Sequence, residues 1–199
     1  ISPEPFPLSQ KQVQELQTLG QQLFLFQKAC NDLYALSVDG RQPAWIAALL
    51  DIGKPPNLIE LSRSRAFRND VPKVLRPDLL ITDQGFTLTE LDSVPGGIGL
   101  TAYLNEVYAE DFPNLIGTTS MPERFFNTLK RLTPDQRFPL VAIVVSEESA
   151  TYRPEFDWLG EKLRSLGHDV HVVDPTQIMQ MGDESFIPVD GAPRKVDLI

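Results

Sequence analysis

The chain has 199 residues, 42% of them hydrophobic, and a formal net charge of −9 at pH 7. This length allows one large domain or two small ones with a sizeable core. The acidic charge argues against a protein that binds nucleic acid or an anionic membrane surface, because such proteins present basic patches. The single cysteine, Cys30, rules out an internal disulfide. We therefore predict a cytoplasmic location, where thiols stay reduced.

The ends of the sequence suggest that it belongs to a longer protein. No apolar run approaches the roughly 18 residues that cross a membrane, and no leader of the signal-peptide type opens the chain. The first residue is Ile1, and residues 195–199 have the pattern of a buried strand. We therefore expect further sequence on at least one side.

The N-terminal region is predicted to be helical. Ser9 is a suitable N-cap for a long helix. The apolar residues that follow recur at a spacing that places them on one helical face, which we expect to pack against a core: Leu16, Leu19, Leu23, Phe26, Cys30 and Leu33. A short coiled coil is the alternative. A second helix is predicted over residues 43–50, where Trp45 is expected to pack.

The middle of the chain predicts a β-hairpin followed by a glycine loop. Residues 78–82 and 86–92 have the composition of strands, and Asp83-Gln84-Gly85 between them favours a tight turn. The loop Pro95-Gly96-Gly97-Ile98-Gly99 comes next and leads into a predicted helix over residues 100–108. A further helix is predicted over residues 121–132.

The last third predicts a parallel β-α-β unit. Residues 140–145 form a continuous apolar run, which is typical of a strand buried on both faces. A helix over residues 154–166 and a strand over residues 170–173 follow, and residues 196–199 indicate a further strand. A short crossover of this kind joins parallel strands. Residues 133–136 are the best candidate linker.

The hairpin carries the most informative group of polar residues. Glu90 and Asp92 are two positions apart on a strand and so project to the same face. Asp78 begins the neighbouring strand, and an antiparallel turn returns it beside them. Three like charges are costly to bring together unless a cation neutralises them. Oxygen ligands without histidine or cysteine favour Mg²⁺, and Arg76 beside them suits a phosphate oxygen.

The glycine loop has two interpretations. Gly96 and Gly97 precede a helix N-terminus, where backbone N–H groups can approach an anion such as a phosphate. Equally, such glycines can serve only to turn the chain. The loop is not a P-loop, because the Gly-Lys-Ser/Thr ending is absent. Likewise, Glu90 and Asp92 can be solvated edge charges without any metal.

For the other polar residues, a structural or surface role is likewise the alternative to a functional one. Arg63, Arg65 and Arg68 either bind an anionic substrate or form a solvated face. The loop of residues 146–149 follows a predicted parallel strand, the position at which such sheets bind ligands, but a polar surface loop explains it as well. His168, His171 and Trp158 are predicted to be structural, since no nucleophile or metal-binding spacing accompanies either histidine. These three complete the set of candidates.

The segment around the hairpin resembles the circularly permuted ATP-grasp proteins, the group that contains glutathionylspermidine synthase and its uncharacterised relatives. In that family an Arg-Xaa-Asp segment precedes a hairpin that ends in Glu-Xaa-Asn. Arg76-Pro-Asp78 and Glu90-Leu-Asp92 match this pattern, except that Asp92 stands where the family has Asn. The resemblance covers about residues 65–199, and residues 138–199 are similar to the family's pre-ATP-grasp domain.

The resemblance implies an α/β fold in two domains. N-terminal helices and a β-hairpin lobe would occupy residues 1–132, and a Rossmann-like parallel βαβ pre-ATP-grasp domain would occupy residues 138–199. It also implies roles for the polar residues. Asp78, Glu90 and Asp92 would bind Mg²⁺, and Arg76 would act as the catalytic contact to the transferring phosphate. The glycine loop would shape the acceptor or phosphate side of the site, with Gly96 and Gly97 as the candidate residues that bind the ATP cofactor.

The implied activity is that of an ATP-dependent carboxylate–amine ligase, which joins a small-molecule carboxylate to an amine through an acyl phosphate. In the family, the adenine pocket and the phosphate-gripping lysines lie on a later segment. The chain is therefore expected to carry only the magnesium and phosphate side of the site, and not to turn over alone. A non-catalytic binding or regulatory module that keeps the fold is the alternative.

Overall fold

A computed structural model describes residues 2–116 and 121–199, which have a mixed α/β fold with small sheets. The chain divides into two compact units. Residues 7–94 form one, called here the hairpin unit, and residues 95–199 with the N-terminal segment up to Phe6 form the other, called the sheet unit. The predicted α/β class is confirmed at this level.

The hairpin unit begins with a long capped helix. The helices and strands of this unit are α1 (Gln10–Val38), α2 (Ala44–Asp51), α3 (Pro56–Arg63), β1 (Arg76–Thr82) and β2 (Gly85–Asp92). The predicted N-cap is confirmed, since Ser9 and Gln12 form a capping box. The Ser9 backbone N–H donates to Oε1 of Gln12 at 2.8 Å, which satisfies a donor that the first turn of a helix leaves without a partner.

The predicted apolar face of α1 is buried only in its first half. Leu23 is buried, but Phe26 and Leu33 are 56% and 41% exposed, and Cys30 is also exposed. The prediction of a buried stripe is therefore wrong beyond Leu23. The cause lies in how the second half of α1 meets α2.

That contact uses a small polar residue instead of the leucines. Ser37 is buried, donates through Oγ to the Pro43 carbonyl at 2.7 Å, and accepts from the Ala47 N–H at 3.0 Å. The contact face is thus rotated away from Leu33, and α2 approaches through Ala47. Trp45 is left 65% exposed, contrary to the packing role predicted for it.

Two of the three candidate arginines have partners within the hairpin unit. Arg63 pairs with Asp51 and donates from Nε to the Tyr34 hydroxyl at 3.2 Å. Arg68 pairs with Asp39 at the end of α1. These contacts connect α3 and the segment after it to α1 and α2, so a structural role accounts for both guanidinium groups.

The sheet unit contains the predicted β-α-β arrangement. Its elements are α4 (Ile98–Asp111), α5 (Met121–Lys130), β3 (Val141–Val144), α6 (Arg153–Ser165), β4 (Val170–Val173), β5 (Met179–Met181), β6 (Glu184–Val189) and β7 (Ala192–Lys195). Strands β3 and β4 are parallel, as predicted. Leu159 and Leu163 of α6 are completely buried, and Gly167 ends the crossover with a φ of +89°, a conformation that favours glycine.

An antiparallel sheet of β5, β6 and β7 was not predicted. Its second turn is formed by Asp190 and Gly191, both with positive φ, and Asp-Gly is a strong hairpin signal that the prediction overlooked. The expected strand over residues 196–199 is reduced to a single parallel bridge between Leu198 and Val141. Ile187 and Val196 belong instead to the hydrophobic core.

The boundary between the units differs from the expected domain limits of 1–132 and 138–199. The two units separate after Val94, because α4 and α5 both pack against α6. Phe125 and Phe126 of α5 are buried in the sheet unit. Residues 133–136, the predicted linker, therefore lie inside a compact unit. Within the part of the chain that the structure describes, no helix is both long and apolar enough to cross a membrane.

Gly20 lies inside α1 and offers a test of the open space around this part of the helix. A Cβ atom at this position meets no atom within 4 Å. We expect Gly20→Ala to raise the free energy of unfolding by about 0.5–1 kcal/mol, because alanine loses less backbone entropy in a helix. The measurement is urea denaturation. The matched control is Gly160→Ala in α6, whose Cβ would lie 3.0 Å from Cγ2 of Val172. Equal stabilisation by both substitutions would contradict this account.

His168 offers a test through pH. Its ring stacks on Phe126 with the centroids 3.8 Å apart, and burial lowers the pKa of His168, with Glu123 opposing and Lys130 adding to the effect. The unfolded chain therefore takes up this proton at a higher pH than the folded chain. This contribution to stability is complete above the ordinary histidine pKa of about 6.5 and is lost as the pH falls below it.

We expect His168→Phe, which keeps a ring on Phe126, to lose less stability than the native chain as the pH falls through this window. Urea denaturation at about pH 7.5 and about pH 5.5 measures the difference. An identical loss in both proteins would show that His168 does not contribute.

Candidate functional site

The predicted hairpin is present, and its register fixes the positions of the candidate side chains. Strand β1 pairs with β2 in antiparallel fashion, with Asp78 opposite Glu90 and Arg76 opposite Asp92. Residues two apart on a strand and residues directly across a pair share one face. All four charged residues therefore lie on the same face at one end of the hairpin. The register shifts directly after Asp78, so that Leu79 pairs with Leu88.

The opposite face of β1 is apolar. Pro77 and Leu79 line a groove of about 260 Å³ together with residues of α1, among them Leu19 and Leu23. The charged face is therefore the outward one, in agreement with the exposure of Asp78 and Glu90. The partial burial of Pro77 and Leu79 favours this orientation, because a slip by one residue would reverse the two faces.

Arg76 and Asp92 form an ion pair on this face. Both side chains are partly buried, at 38% and 29% exposure. A pair of this kind contributes little to stability on its own, but it fixes the direction of the guanidinium group. One partner of the Arg76 guanidinium is thus Asp92, the position at which the chain differs from the motif of the family that it resembles.

Asp78 and Glu90 face each other directly across the ladder. Like charges in this position destabilise a sheet by roughly 0.2–1 kcal/mol. Among residues 2–116 and 121–199, no group of three or more acidic, histidine or cysteine side chains lies close enough to hold a metal ion. The structure thus places the three predicted carboxylates on one face, two across from each other and the third in an ion pair. Metal binding by them stays a prediction.

The glycine loop is held by a carboxylate of the sheet unit that the sequence did not reveal. The Gly97 N–H donates to Oε1 of Glu155 at 2.6 Å, and the Leu100 N–H donates to Oε2 at 2.7 Å. Gly97 is the N-cap residue of α4 and has a φ of +87°. A carboxylate is well suited to this position, because the N-terminus of a helix carries a partial positive charge.

The glycines also allow the backbone of the loop to approach α6 closely. A Cβ atom on Gly99 would lie 2.3 Å from the Glu155 carbonyl oxygen, and one on Gly96 would lie 2.7 Å from Cε1 of Tyr152. Such contacts exclude any side chain at these positions without movement of the chain. The close approach to the α6 backbone explains why Gly99 is a glycine, and the Tyr152 ring beside Gly96 favours a glycine there. Phosphate binding by Gly96 and Gly97 stays a prediction.

Sequence reasoning had no local signal for Glu155. It lies 58 residues from Gly97 in the chain, and its position in the first turn of α6 indicates only favourable helix electrostatics. The nearby candidate loop of residues 146–149 continues into a 3-10 helix, Glu147–Tyr152. Hydrogen bonds from its own backbone N–H and from Ser146 lower the pKa of Glu148, so that carboxylate serves the local turn.

The two histidines have structural partners. His171 lies 2.9 Å from Oδ1 of Asp169, which also pairs with Arg194. His168 stacks on Phe126. Both arrangements agree with the structural roles predicted for them. Trp158 also packs as predicted, edge-on against Tyr103 with the ring centroids 5.5 Å apart.

Comparison of the sequence with protein-family models finds no match, and a comparison with curated proteins finds none either. The resemblance to the permuted ATP-grasp family therefore stays a prediction, supported by the motif residues themselves.

The close approach at Gly99 leads to a direct test. We expect Gly99→Ala to lower the free energy of unfolding by about 1–3 kcal/mol, because the added methyl group collides with backbone of α6 that has no flexible side-chain end to move aside. Urea denaturation measures the change. The matched control is Gly20→Ala, the same substitution in a helix with open space around it. Unchanged stability in Gly99→Ala would mean that the loop does not pack on α6 in this way.

Proposed function

We propose that the chain provides the magnesium and phosphate side of an ATP-dependent carboxylate–amine ligase. The observation that carries this proposal is the register of the hairpin, in which Arg76 and Asp92 pair beside Asp78 and Glu90 on one outward face. The motif match predicted that these four residues act together. A different register, or a shift of one strand by one residue, would have separated them.

The chemistry of the donor set fits magnesium. Asp78 and Glu90 supply hard carboxylate oxygens, and both are exposed, so that the ion can keep several of its waters as it prefers. Their direct opposition costs free energy that a divalent cation would remove. Bound there, Mg²⁺ would neutralise charge on the phosphates of ATP as the acyl phosphate forms.

Arg76 is proposed to bind the transferring phosphoryl group. Its guanidinium is oriented by Asp92, and a guanidinium carries N–H donors in a planar fork that suits both carboxylate and phosphate oxygens. Fixed orientation before the substrate arrives is what electrostatic stabilisation of a transition state requires. Asp92 thus acts on the reaction through Arg76 as well as through the metal.

The sheet unit is proposed to be a Rossmann-like pre-ATP-grasp domain that contributes to binding the small-molecule substrates. Its parallel strands β3 and β4 with the crossover helix α6 support this assignment. The polar residues 146–149 follow the carboxyl end of β3, the position at which ligands bind in open parallel sheets.

A non-catalytic module is the second candidate, and one observation favours it. The Gly97 N–H is engaged by Glu155, so a phosphate at the N-terminus of α4 would have to compete with a carboxylate of the same unit. A protein that keeps the fold for binding or regulation has no need of that backbone group. Magnesium binding by the hairpin carboxylates distinguishes the ligase from the non-catalytic module.

Magnesium titration of the chain tests the proposal. We expect Mg²⁺ at about ten times its Kd to raise the free energy of unfolding by about 1.4 kcal/mol, because the ion binds only the folded state. In Glu90→Gln this gain should vanish. The same substitution should stabilise the metal-free chain by roughly 0.2–1 kcal/mol, since it removes the repulsion with Asp78. The measurement is urea denaturation in chelator and in magnesium.

The matched control is Asp83→Asn, which removes one negative charge in the turn at the other end of the hairpin. It should retain the full response to magnesium. If Glu90→Gln and Asp83→Asn respond alike, the carboxylates are ordinary solvated edge charges and the ligase proposal fails.

A further inference from the structure

An aromatic groove lies in the sheet unit, between α4 and α6. Its volume is about 560 Å³, and Tyr103, Tyr152 and Trp158 line it together with Glu155. Small-molecule sites in proteins have volumes of about 300–1,000 Å³ and are mostly apolar with a few polar groups. Gly97 of the glycine loop also borders the groove, but the ligase proposal gives no role to the three aromatic rings, so this lining needs a separate explanation.

Two of the rings form a corner. The planes of Tyr103 and Trp158 are 81° apart, with their centroids separated by 5.5 Å. Tyr103 is 46% exposed and Tyr152 is 37% exposed, so their rings are open to a ligand. Ring faces carry negative electrostatic potential, and aromatic side chains that surround one space attract organic cations.

The groove is held in shape by contacts behind the rings. The Tyr152 ring packs against Gly96, where even a methyl group would not fit. Glu155 binds the N-terminus of α4 through both carboxylate oxygens, and this fixes the helix that carries Tyr103 to the helix that carries Trp158. Contacts that position these rings before binding reduce the free energy that a ligand would lose in ordering them.

The charge of the groove also favours a cation. Of the described residues that line it, Glu155 is the only one charged at neutral pH. Its oxygens already accept two backbone N–H groups, and the positive end of α4 offsets part of its charge. The carboxylate therefore sets the sign of the potential, while the ring faces supply most of the contact.

We infer that this groove binds the quaternary ammonium group of a small molecule. A primary ammonium carries three N–H donors that need acceptors when they leave water, and the groove offers chiefly ring faces and a carboxylate already engaged by the backbone. A trimethylammonium group has no N–H donors, so it loses no hydrogen bonds in such a site. This inference is independent of the ligase proposal, because a quaternary nitrogen cannot accept an acyl group.

The test uses choline and its neutral isostere 3,3-dimethyl-1-butanol, which has the same shape without the charge. The 199-residue chain with Trp45→Phe leaves Trp158 as the tryptophan that reports binding by fluorescence. We expect choline to bind roughly three-fold to thirty-fold more tightly than the isostere, the range of a cation–π contribution. Ethanolamine, the primary amine of matching length, should bind more weakly than choline.

Because Tyr103 is exposed, we expect substitutions at this position to leave the fold intact and to change only binding. Tyr103→Leu should weaken choline binding by roughly three-fold or more. Tyr103→Phe should bind choline as tightly as the chain with Tyr103, because only the aromatic ring is needed. Equal binding of choline and the isostere would overturn the inference. So would the absence of a fluorescence change with choline up to about 10 mM, ten times the roughly 1 mM Kd of a weak small-ligand site.

Discussion

The Glu155 carboxylate is the contact on which the arrangement of the sheet unit depends. It joins the first turn of α4 to α6 by two hydrogen bonds from backbone N–H groups. The bonds form because Gly99 allows the two backbones to come together, and a side chain there would collide with α6. Charge-assisted hydrogen bonds of this type are about twice as strong as neutral ones. Glu155 and Gly99 thus fix the position of α4, whose N-cap residue forms no side-chain hydrogen bond to the helix.

This contact changes how the glycine loop of residues 95–99 is interpreted. A loop of glycines before a helix usually suggests an anion from outside the protein, since the helix N-terminus attracts negative charge. Here the same attraction is satisfied from within the unit by Glu155. The physical principle is unchanged, but the anion is a side chain. Spacing of glycines alone cannot distinguish the two cases, because the partner lies far away in the sequence.

Local signals in the sequence predicted several of the helices and strands, whereas contacts between residues far apart in the chain decided how they pack. The capping box at Ser9 and the parallel pairing of β3 with β4 followed from nearby residues and strand length. The exposure of Cys30 did not, because the contact of α1 with α2 is made through Ser37 and not through the apolar stripe. The turn at Asp190-Gly191 could have been recognised from its sequence. Glu155 could not, since its role depends on a contact between α4 and α6.

Asp92 also sets the net charge of the outward face of the hairpin. Arg76, Asp92, Asp78 and Glu90 together carry a formal charge of −2, whereas an asparagine in place of Asp92 would leave −1. With one divalent cation bound, the face is neutral here and would be positive with asparagine. At about 6 Å, one unit of charge changes the attraction of a singly charged anion by about 0.7 kcal/mol in bulk water and about 3 kcal/mol at an effective dielectric constant near 20. Since a phosphate would meet this face from solvent, the smaller value applies. Asp92 therefore orients Arg76 but weakens the electrostatic attraction of this face for a phosphate. For the site to catalyse phosphoryl transfer, the orientation of Arg76 must stabilise the transition state by more than this lost attraction.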